Sequence, residues 1–233
     1  MPFPALDDSI LDKMREDWDQ RARENARHYI ATANTTWSDH EYYESGRLCV
    51  YYEILNDLGN VCQHKNPKQM KVLEIGCGTG RMTRALGEVF GEVYGVDISG
   101  EMIAQGKKDL ADLPNVHLFQ NNGADLAVLN DALGDGQIDF AFSYIVFQHI
   151  PSQDVIYSYT REVNRLLRPG GLFKFQMQGA PWQREGSPDS WLGVTFTEAE
   201  AMEMARECGF EARYRIGAGS QFFWLWFFKQ AGA

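Results

Sequence analysis

The stretch Glu74-Ile75-Gly76-Cys77-Gly78-Thr79-Gly80 sets three alternating glycines directly after an apolar run, with an acidic residue just ahead of the first glycine. Glycine tolerates positive φ and has no Cβ, so such a loop lets a ligand lie against the main chain. About twenty residues on, Asp97 closes a second apolar run. A carboxylate there can accept hydrogen bonds from both hydroxyls of a ribose, although a plainer alternative is that Asp97 caps the helix that starts beyond Ser99. Its offset from the glycines favours the ribose. The loop is not a P-loop, because no Gly-Lys-Ser/Thr follows. Nor is it the GxGxxG of dinucleotide sites, because Arg81 stands at the third-glycine position. Glu74 suits a cofactor with a cationic amine or sulfonium better than one with a pyrophosphate.

Elements that could carry this loop alternate along the chain. Short β-rich runs at 71–75, 92–97, 116–120, 138–145 and 171–178 are separated by segments with helical period. Met82, Ala85, Leu86 and Val89 share one face, as do Ile103, Gly106, Leu110 and Leu113, and then Val155, Tyr159, Val163 and Leu166. The pattern predicts a doubly wound α/β domain with a mostly parallel sheet. Thr197 and Glu200 make a capping box for a further helix that Gly209 ends. Beyond it, "FEARYRI" and "QFFWLWFFK" are joined only by "GAGS", which suits antiparallel neighbours and brings the sheet to seven strands.

Residues 1–68 read as a helical cap without a core of its own, and 69–233 as the main domain. Leu11, Met14, Trp18 and Ala22 are spaced to pack, and a second helix is expected to bury Leu48, Tyr52, Leu55 and Leu58 before Gly59 stops it. Between these helices, "TANTTWSDHEYYESG" reads as a polar loop.

A net charge of −10 opposes binding to nucleic acid or anionic lipid. Four cysteines without a CxxC pair and five dispersed histidines support neither a disulfide framework nor a zinc site. No basic, apolar leader opens the chain, and "FFWLWFF" is too short to span a bilayer. A protein of the reducing cytoplasm is expected, with no metal and no membrane contact.

In these motifs and their order, residues 70–230 resemble the class I S-adenosylmethionine-dependent methyltransferases, which have a Rossmann-like fold. "VLEIGCGTGR" resembles their first motif and "VYGVDISGEMI" their second. "NNGADL" resembles the segment flanking adenine, "IDFAFSYIVFQHIP" the fourth strand and the turn after it, and "LLRPGGLFKF" the entry to the fifth. The resemblance implies S-adenosylmethionine as cofactor and S-adenosylhomocysteine as product. By it, Gly76, Cys77, Gly78 and Gly80 lie beneath the methionyl part and Glu74 orients it. Asp97 holds the ribose, Ile98 packs on the adenine, Met102 is a further cofactor-binding residue, and Ser143 or Tyr144 borders the sulfonium. Which of Asn122, Gly123, Ala124 and Asp125 meets the base stays open, because an aspartate common directly after this strand is absent. Cys77 reads as a small space-filler, with no base or partner thiol near it in sequence.

Methyl transfer is a direct displacement, so alignment and exclusion of water are the main requirements. A hydroxyl acceptor would also need a base, and His149, just beyond the fourth strand, is the candidate; the alternative is a histidine that shapes the turn at "HIPS". The Asn/Asp-Pro-Pro-Tyr/Phe sequence of amino-group methylation on DNA bases is replaced by "SYIV", and Asp139 lies at the wrong end of its strand for a catechol-type magnesium site. A small-molecule acceptor, natural products included, remains, taken at oxygen or nitrogen. Trp37, Tyr42, Tyr43, Phe147, Trp182 and Trp191 are candidates for aromatic walls, with ordinary core packing as the alternative for each. Competing readings are a catalytically silent cofactor-binding module and a nicotinamide oxidoreductase, the latter disfavoured by the lack of a Tyr-xxx-Lys pair.

Overall fold

The structure, a computed structural model, describes residues 6–181 and 190–231. Strands β1 (Lys71–Ile75), β2 (Glu92–Asp97), β3 (Val116–Gln120), β4 (Ile138–Ser143) and β5 (Leu167–Met177) pair in parallel, and β6 (Phe210–Ile216) and β7 (Phe223–Lys229) complete the sheet. The order is β3-β2-β1-β4-β5-β7-β6, with β7 antiparallel to both neighbours. The short link after β6 leaves no room for a crossover, which is why β7 turns back and slots in beside β5. The architecture is therefore the expected doubly wound, Rossmann-like sheet with its antiparallel C-terminal hairpin.

Both faces of the sheet are covered, and alternate residues of each strand supply two cores. Leu73, Val96, Ala141, Phe173 and Phe175 face α6 (Gln153–Leu166) and α7 (Glu198–Glu207). On the other side Val72, Val93, Phe140 and Leu172 meet α2 (Asp39–Glu53), α3 (Leu58–Cys62) and α4 (Arg81–Val89). Leu11 and Met14 of α1 (Asp8–Ile30) join the first core, and Val50, Ile54 and Val61 join the second. Helix α5 (Gly100–Asp109) packs Ile103 against Cys77, Leu110 and Leu118.

Three expectations need correction. The fourth strand stops at Ser143 rather than running to 145, because Ile145 takes φ +55. The fifth starts at Leu167, which pairs with Ile138 across a register shift. The second helix has a different face and different ends. Ser38 and Glu41 form a capping box that opens α2 inside the segment read as loop, and α3 runs through Gly59. Tyr42, Gly46 and Val50 are the buried face, while Leu48 and Tyr52 are 56% and 63% exposed. The reason is contact with α4: a Cβ on Gly46 would sit 2.0 Å from the Arg81 carbonyl oxygen, so only this glycine-bearing face can dock.

That contact is backbone, with no flexible side chain to yield. Gly46→Ala is expected to lower stability by about 1–3 kcal/mol, the usual cost of overpacking, read as a fall in thermal or denaturant midpoint; an unchanged midpoint would mean that α2 does not dock this way.

Candidate functional site

The loop between β1 and α4 crosses the carboxyl edge of the sheet, where ligands bind in open α/β folds. Gly76 and Gly78 have φ of +73 and +54. A Cβ on Gly76 would meet Val146 Cγ2 at 2.2 Å, and one on Gly78 would meet Ile30 Cδ1 at 2.7 Å. Above the loop opens a cleft of about 940 Å³ with its open mouth included.

The N–H groups of Gly76, Cys77 and Gly78 are not free for an anion. Gly76 and Cys77 both donate to the Val96 carbonyl, at 2.8 and 3.1 Å, and Gly78 donates to Asp97 Oδ2 at 2.9 Å. Asp97 Oδ1 accepts from Ser99 N–H, also at 2.9 Å. Each carboxylate oxygen thus keeps acceptor capacity toward the cleft. Burial pushes the Asp97 pKa up to about 6, against the pull of these backbone donors. Glu74 lines the same cleft and accepts from Thr83 Oγ1 at 2.6 Å. Burial drives its pKa up to about 7, opposed by the Thr83 hydroxyl and the charge of Arg81. Cys77 is held as a thiol, its pKa far above normal through burial and the two carboxylates.

Beyond β4 the chain makes a strained turn. Ile145, β-branched yet left-handed, donates its N–H to Gln176 Oε1 at 3.1 Å, and the turn lays Val146 over Gly76. Tyr144 enters the cleft wall stacked on Trp224, ring centroids 5.2 Å apart. His149 also lines the cleft, and both its nitrogens have protein partners. Nδ1 meets the carbonyl of Trp191, so it carries the proton. Nε2 lies 3.2 Å from Gln148 Nε2, and Gln148 Oε1 accepts from Gln176 Nε2 at 3.0 Å. Burial lowers the His149 pKa to about 4, leaving a neutral imidazole at physiological pH.

Helix α1 roofs the cleft with Met14, Trp18, Tyr29 and Ile30. Asp19 accepts from Ser99 Oγ at 2.6 Å and from Glu101 N–H at 3.2 Å, tying the roof to the start of α5. Trp18 stands edge-on to His149 at 5.4 Å, and the Arg21 guanidinium lies between Trp18 and Trp191.

Of the residues singled out from sequence, the fold gathers Glu74, Gly76, Cys77, Gly78, Asp97, Ile98, Met102, Tyr144 and His149 around this one cleft. Others lie off its wall. Gly80 caps α4 from behind. Ser143 is buried and donates to the Ile75 carbonyl. Asn122, Gly123 and Ala124 form a turn outside the wall, with Asn122 Oδ1 accepting from the N–H groups of Ala124 and Asp125. Tyr42 is buried and bonds Thr79 from behind the loop, Tyr43 stacks under Arg84, Trp37 donates to the Ala31 carbonyl, and Phe147 sits in the core beside Phe173 and Phe175. Trp191 packs against His149 without lining the cleft, and Trp182 lies outside the described residues. Sequence reasoning did not single out Asn121, Tyr159, Val146 and Ile150 for the site, nor Trp18 and Tyr29 of the roof. The apolar period of the helices was the one signal for Tyr159 and Trp18, and it pointed to core. Among the described residues no His, Cys, Asp and Glu side chains group as metal ligands, and no helix is long and apolar enough to cross a membrane.

Residues 72–171 match the family model described as a methyltransferase domain. That span is under half of the chain, and over it the sequence is similar to methyltransferase domains. A demethylmenaquinone methyltransferase of Staphylococcus aureus is 31% identical to the chain over 135 residues, covering 52% of this chain and 53% of that protein. The chain thus spans about half the length of the curated relatives it matches. Among solved structures, phosphoethanolamine N-methyltransferase 1 of Haemonchus contortus, in complex with phosphoethanolamine and S-adenosylhomocysteine, superposes with a TM-score of 0.69 at 14% identity, covering 97% of this chain and 50% of that one. Geranyl diphosphate C-methyltransferase of Streptomyces coelicolor, in complex with Mg2+, geranyl-S-thiolodiphosphate and S-adenosylhomocysteine, gives 0.68 at 14% identity, covering 98% and 100%. At such identities the likeness establishes a common fold.

The raised carboxyl pKa values have a measurable consequence. An acid whose folded pKa exceeds its unfolded one contributes stability that is full below the unfolded value and lost as pH rises through the folded value. For Asp97 and Glu74 that loss extends up to about 6 and about 7. Glu74→Gln, which mimics the protonated side chain, is expected to match the parent's melting temperature near about pH 5 and exceed it near about pH 8 without ligand. Parallel curves across that range would show that Glu74 is not held protonated.

Proposed function

We propose that the chain is an S-adenosylmethionine-dependent methyltransferase acting on oxygen or nitrogen of a small-molecule acceptor. The observation that carries this reading is the Asp97 carboxylate, open toward a cleft beside which the N–H groups of Gly76, Cys77 and Gly78 are already engaged inside the protein. A carboxylate with spare acceptor sites suits a ribose, whereas a pyrophosphate would need those N–H groups. This also weighs against a nicotinamide cofactor. The glycines shape the same cleft: a Cβ on Gly76 or Gly78 would collide with Val146 or Ile30, which line it. Structures of methyltransferases with bound S-adenosylhomocysteine, alike in fold, support the same cofactor.

When bound, S-adenosylmethionine supplies an electrophilic methyl carbon and departs as S-adenosylhomocysteine. Glu74, ionised above its raised pKa, offers negative charge to the cationic methionyl end, and Asp97 accepts from the ribose hydroxyls. Ile98 and Met102 offer apolar surface to the base. Helix α1 and the turn carrying Val146 cover the site and keep water from competing with the acceptor. Tyr144, Ile145, Tyr29 and Trp18 give the remaining wall an aromatic and aliphatic character without a charged group.

His149, neutral with a pKa near 4, is a weak base whose free pair already faces Gln148. An acceptor that brings its own nucleophile, such as a neutral amine or an acidic enol or phenol, fits this site better than an aliphatic alcohol. The bound cofactor would supply the methyl group, its sulfur keeping the electron pair of the broken bond while the acceptor's own pair makes the new one. The acceptor's proton passes to His149 Nε2 or to solvent.

Calorimetry with S-adenosylhomocysteine tests the cofactor, and release of S-adenosylhomocysteine in the presence of amine and phenol acceptors tests turnover. Asp97→Ala is expected to weaken binding about ten- to a hundredfold, the worth of hydrogen bonds to a charged group. Affinity of the parent protein should rise from about pH 5.5 to about pH 8 as both carboxyls ionise. Absence of binding in the parent protein refutes the reading; binding without turnover on any acceptor would instead favour a silent cofactor-binding module.

A further inference from the structure

Behind Tyr144 runs a column of aromatic rings that the reading above does not use. Phe140, Phe142 and Tyr144 alternate along β4 and the residue after it, so their side chains share the face that meets α2. Phe142 stacks on Trp224 of β7 with ring centroids 6.1 Å apart and planes at 27°, and Tyr144 stacks on the same indole at 5.2 Å and 18°. Tyr144 lines the cleft and Trp224 does not. The indole therefore backs the phenol ring, and the side of Tyr144 left over is the side a ligand meets.

The indole is itself held in place. Lys174 of β5 is 3% exposed, and its Nζ lies 5.5 Å from the ring centre of Trp224 and 4.6 Å from that of Trp226. It donates to the Glu53 carbonyl and, at 3.4 Å, to Asp57 Oδ2, which also accepts from Trp226 Nε1 at 2.5 Å. A buried ammonium needs such partners, and its attraction for the two ring faces restrains both indoles. Neither Lys174 nor Asp57 nor Trp226 lines the cleft. What they fix there is Tyr144, through Trp224, so little further ordering of its ring is needed when a ligand arrives. Burial, with Cys49 and Glu53 nearby, pushes the Tyr144 phenol up to about 12, so the ring is neutral at physiological pH. Against a fixed neutral ring a flat conjugated ligand lies in offset contact, and a puckered saturated one does not.

We infer that Tyr144 is a specificity-determining residue of the acceptor site, a stacking face for a planar, conjugated acceptor such as a phenol or an aromatic amine, with Trp224 as the positioning residue behind it. This rests on the methyltransferase reading above and narrows it. Among acceptors that bring their own nucleophile, it selects those whose oxygen or nitrogen is attached to an aromatic ring.

The full chain, loaded with S-adenosylhomocysteine, is titrated calorimetrically with 2-naphthol and with decahydro-2-naphthol. The parent protein should prefer the aromatic probe at least about threefold, within the range of a stacked aromatic pair. In Tyr144→Leu the ratio of affinities should fall to within about 1.5-fold of unity, whereas Tyr144→Phe, which keeps the ring and loses the hydroxyl, should retain at least about half of it. Trp224→Leu removes the backing ring and should cut the ratio about twofold; it carries the test should Tyr144→Leu not fold. A ratio that survives Tyr144→Leu, one lost equally in Tyr144→Phe, or one unmoved in Trp224→Leu overturns the inference. A parent protein that takes up S-adenosylhomocysteine and then binds neither probe, or binds both alike, sinks this inference alone; one that does not take up S-adenosylhomocysteine sinks the cofactor reading with it.

Discussion

The carboxylate of Asp97 is the junction on which the site's geometry depends. Standing at the end of β2, it accepts Gly78 N–H from the loop after β1 and Ser99 N–H from the start of α5. Ser99 in turn donates to Asp19 of the roof helix. Loop, strand end and roof are therefore linked through three short hydrogen bonds around one anion. Burial works against that anion, lifting its pKa to about 6, and the backbone donors do not fully offset it. A buried acceptor with spare lone pairs and an incomplete donor set is a site prepared for hydroxyl groups, and the protein carries the strain of it when empty.

The same economy governs the turn beyond β4. Gly76 must lack a Cβ because Val146 occupies that space, and Val146 arrives there because Ile145 adopts a left-handed conformation unfavourable for a β-branched residue. Gln176 of β5 compensates by accepting the Ile145 N–H. Gln176 also donates to Gln148, which faces the His149 ring. A neutral amide chain thus runs from the sheet to the imidazole, and together with the Trp191 carbonyl it defines the ring's tautomer without any carboxylate that would make it a stronger base.

The sheet was legible from sequence because strand and helix periods alternate cleanly from 71 onward and because glycine and aspartate occupy positions with few other uses. Boundaries slipped where conformation departs from propensity, as at Ile145, which composition alone assigns to a strand. The face of α2 was misread for a different reason. Both Leu48/Tyr52 and Tyr42/Gly46/Val50 have helical spacing, and only the approach of α4 selects the face with the glycine. Aromatic residues proved hardest to place. Tyr42 and Phe147 have the composition of a ligand wall, yet both are fully buried, one against Thr79 and the other in the core. Trp18 and Tyr29 reach the cleft only through the path of α1, which no local pattern encodes.

This division follows from what each side of the cleft has to recognise. The residues proposed to meet a nucleoside sit at strand ends, where backbone geometry limits their type: glycine where Val146 and Ile30 crowd the chain, aspartate where two N–H groups converge. They leave a motif. The opposite wall is built by tertiary contacts among α1, the turn after β4 and the region around Trp191, with Arg21 between two tryptophan rings and His149 edge-on to one of them. Here the selecting forces are shape and apolar contact, which many residue types satisfy. The charged side chains that line the cleft, Glu74, Asp97 and Arg81, lie by the loop, while the Arg21 guanidinium that rests on Trp18 does not line it. On the proposed reading such a wall would discriminate acceptors by size and polarity, so changes in α1 would alter which acceptor enters while the carboxylates and glycines by the loop stay as they are.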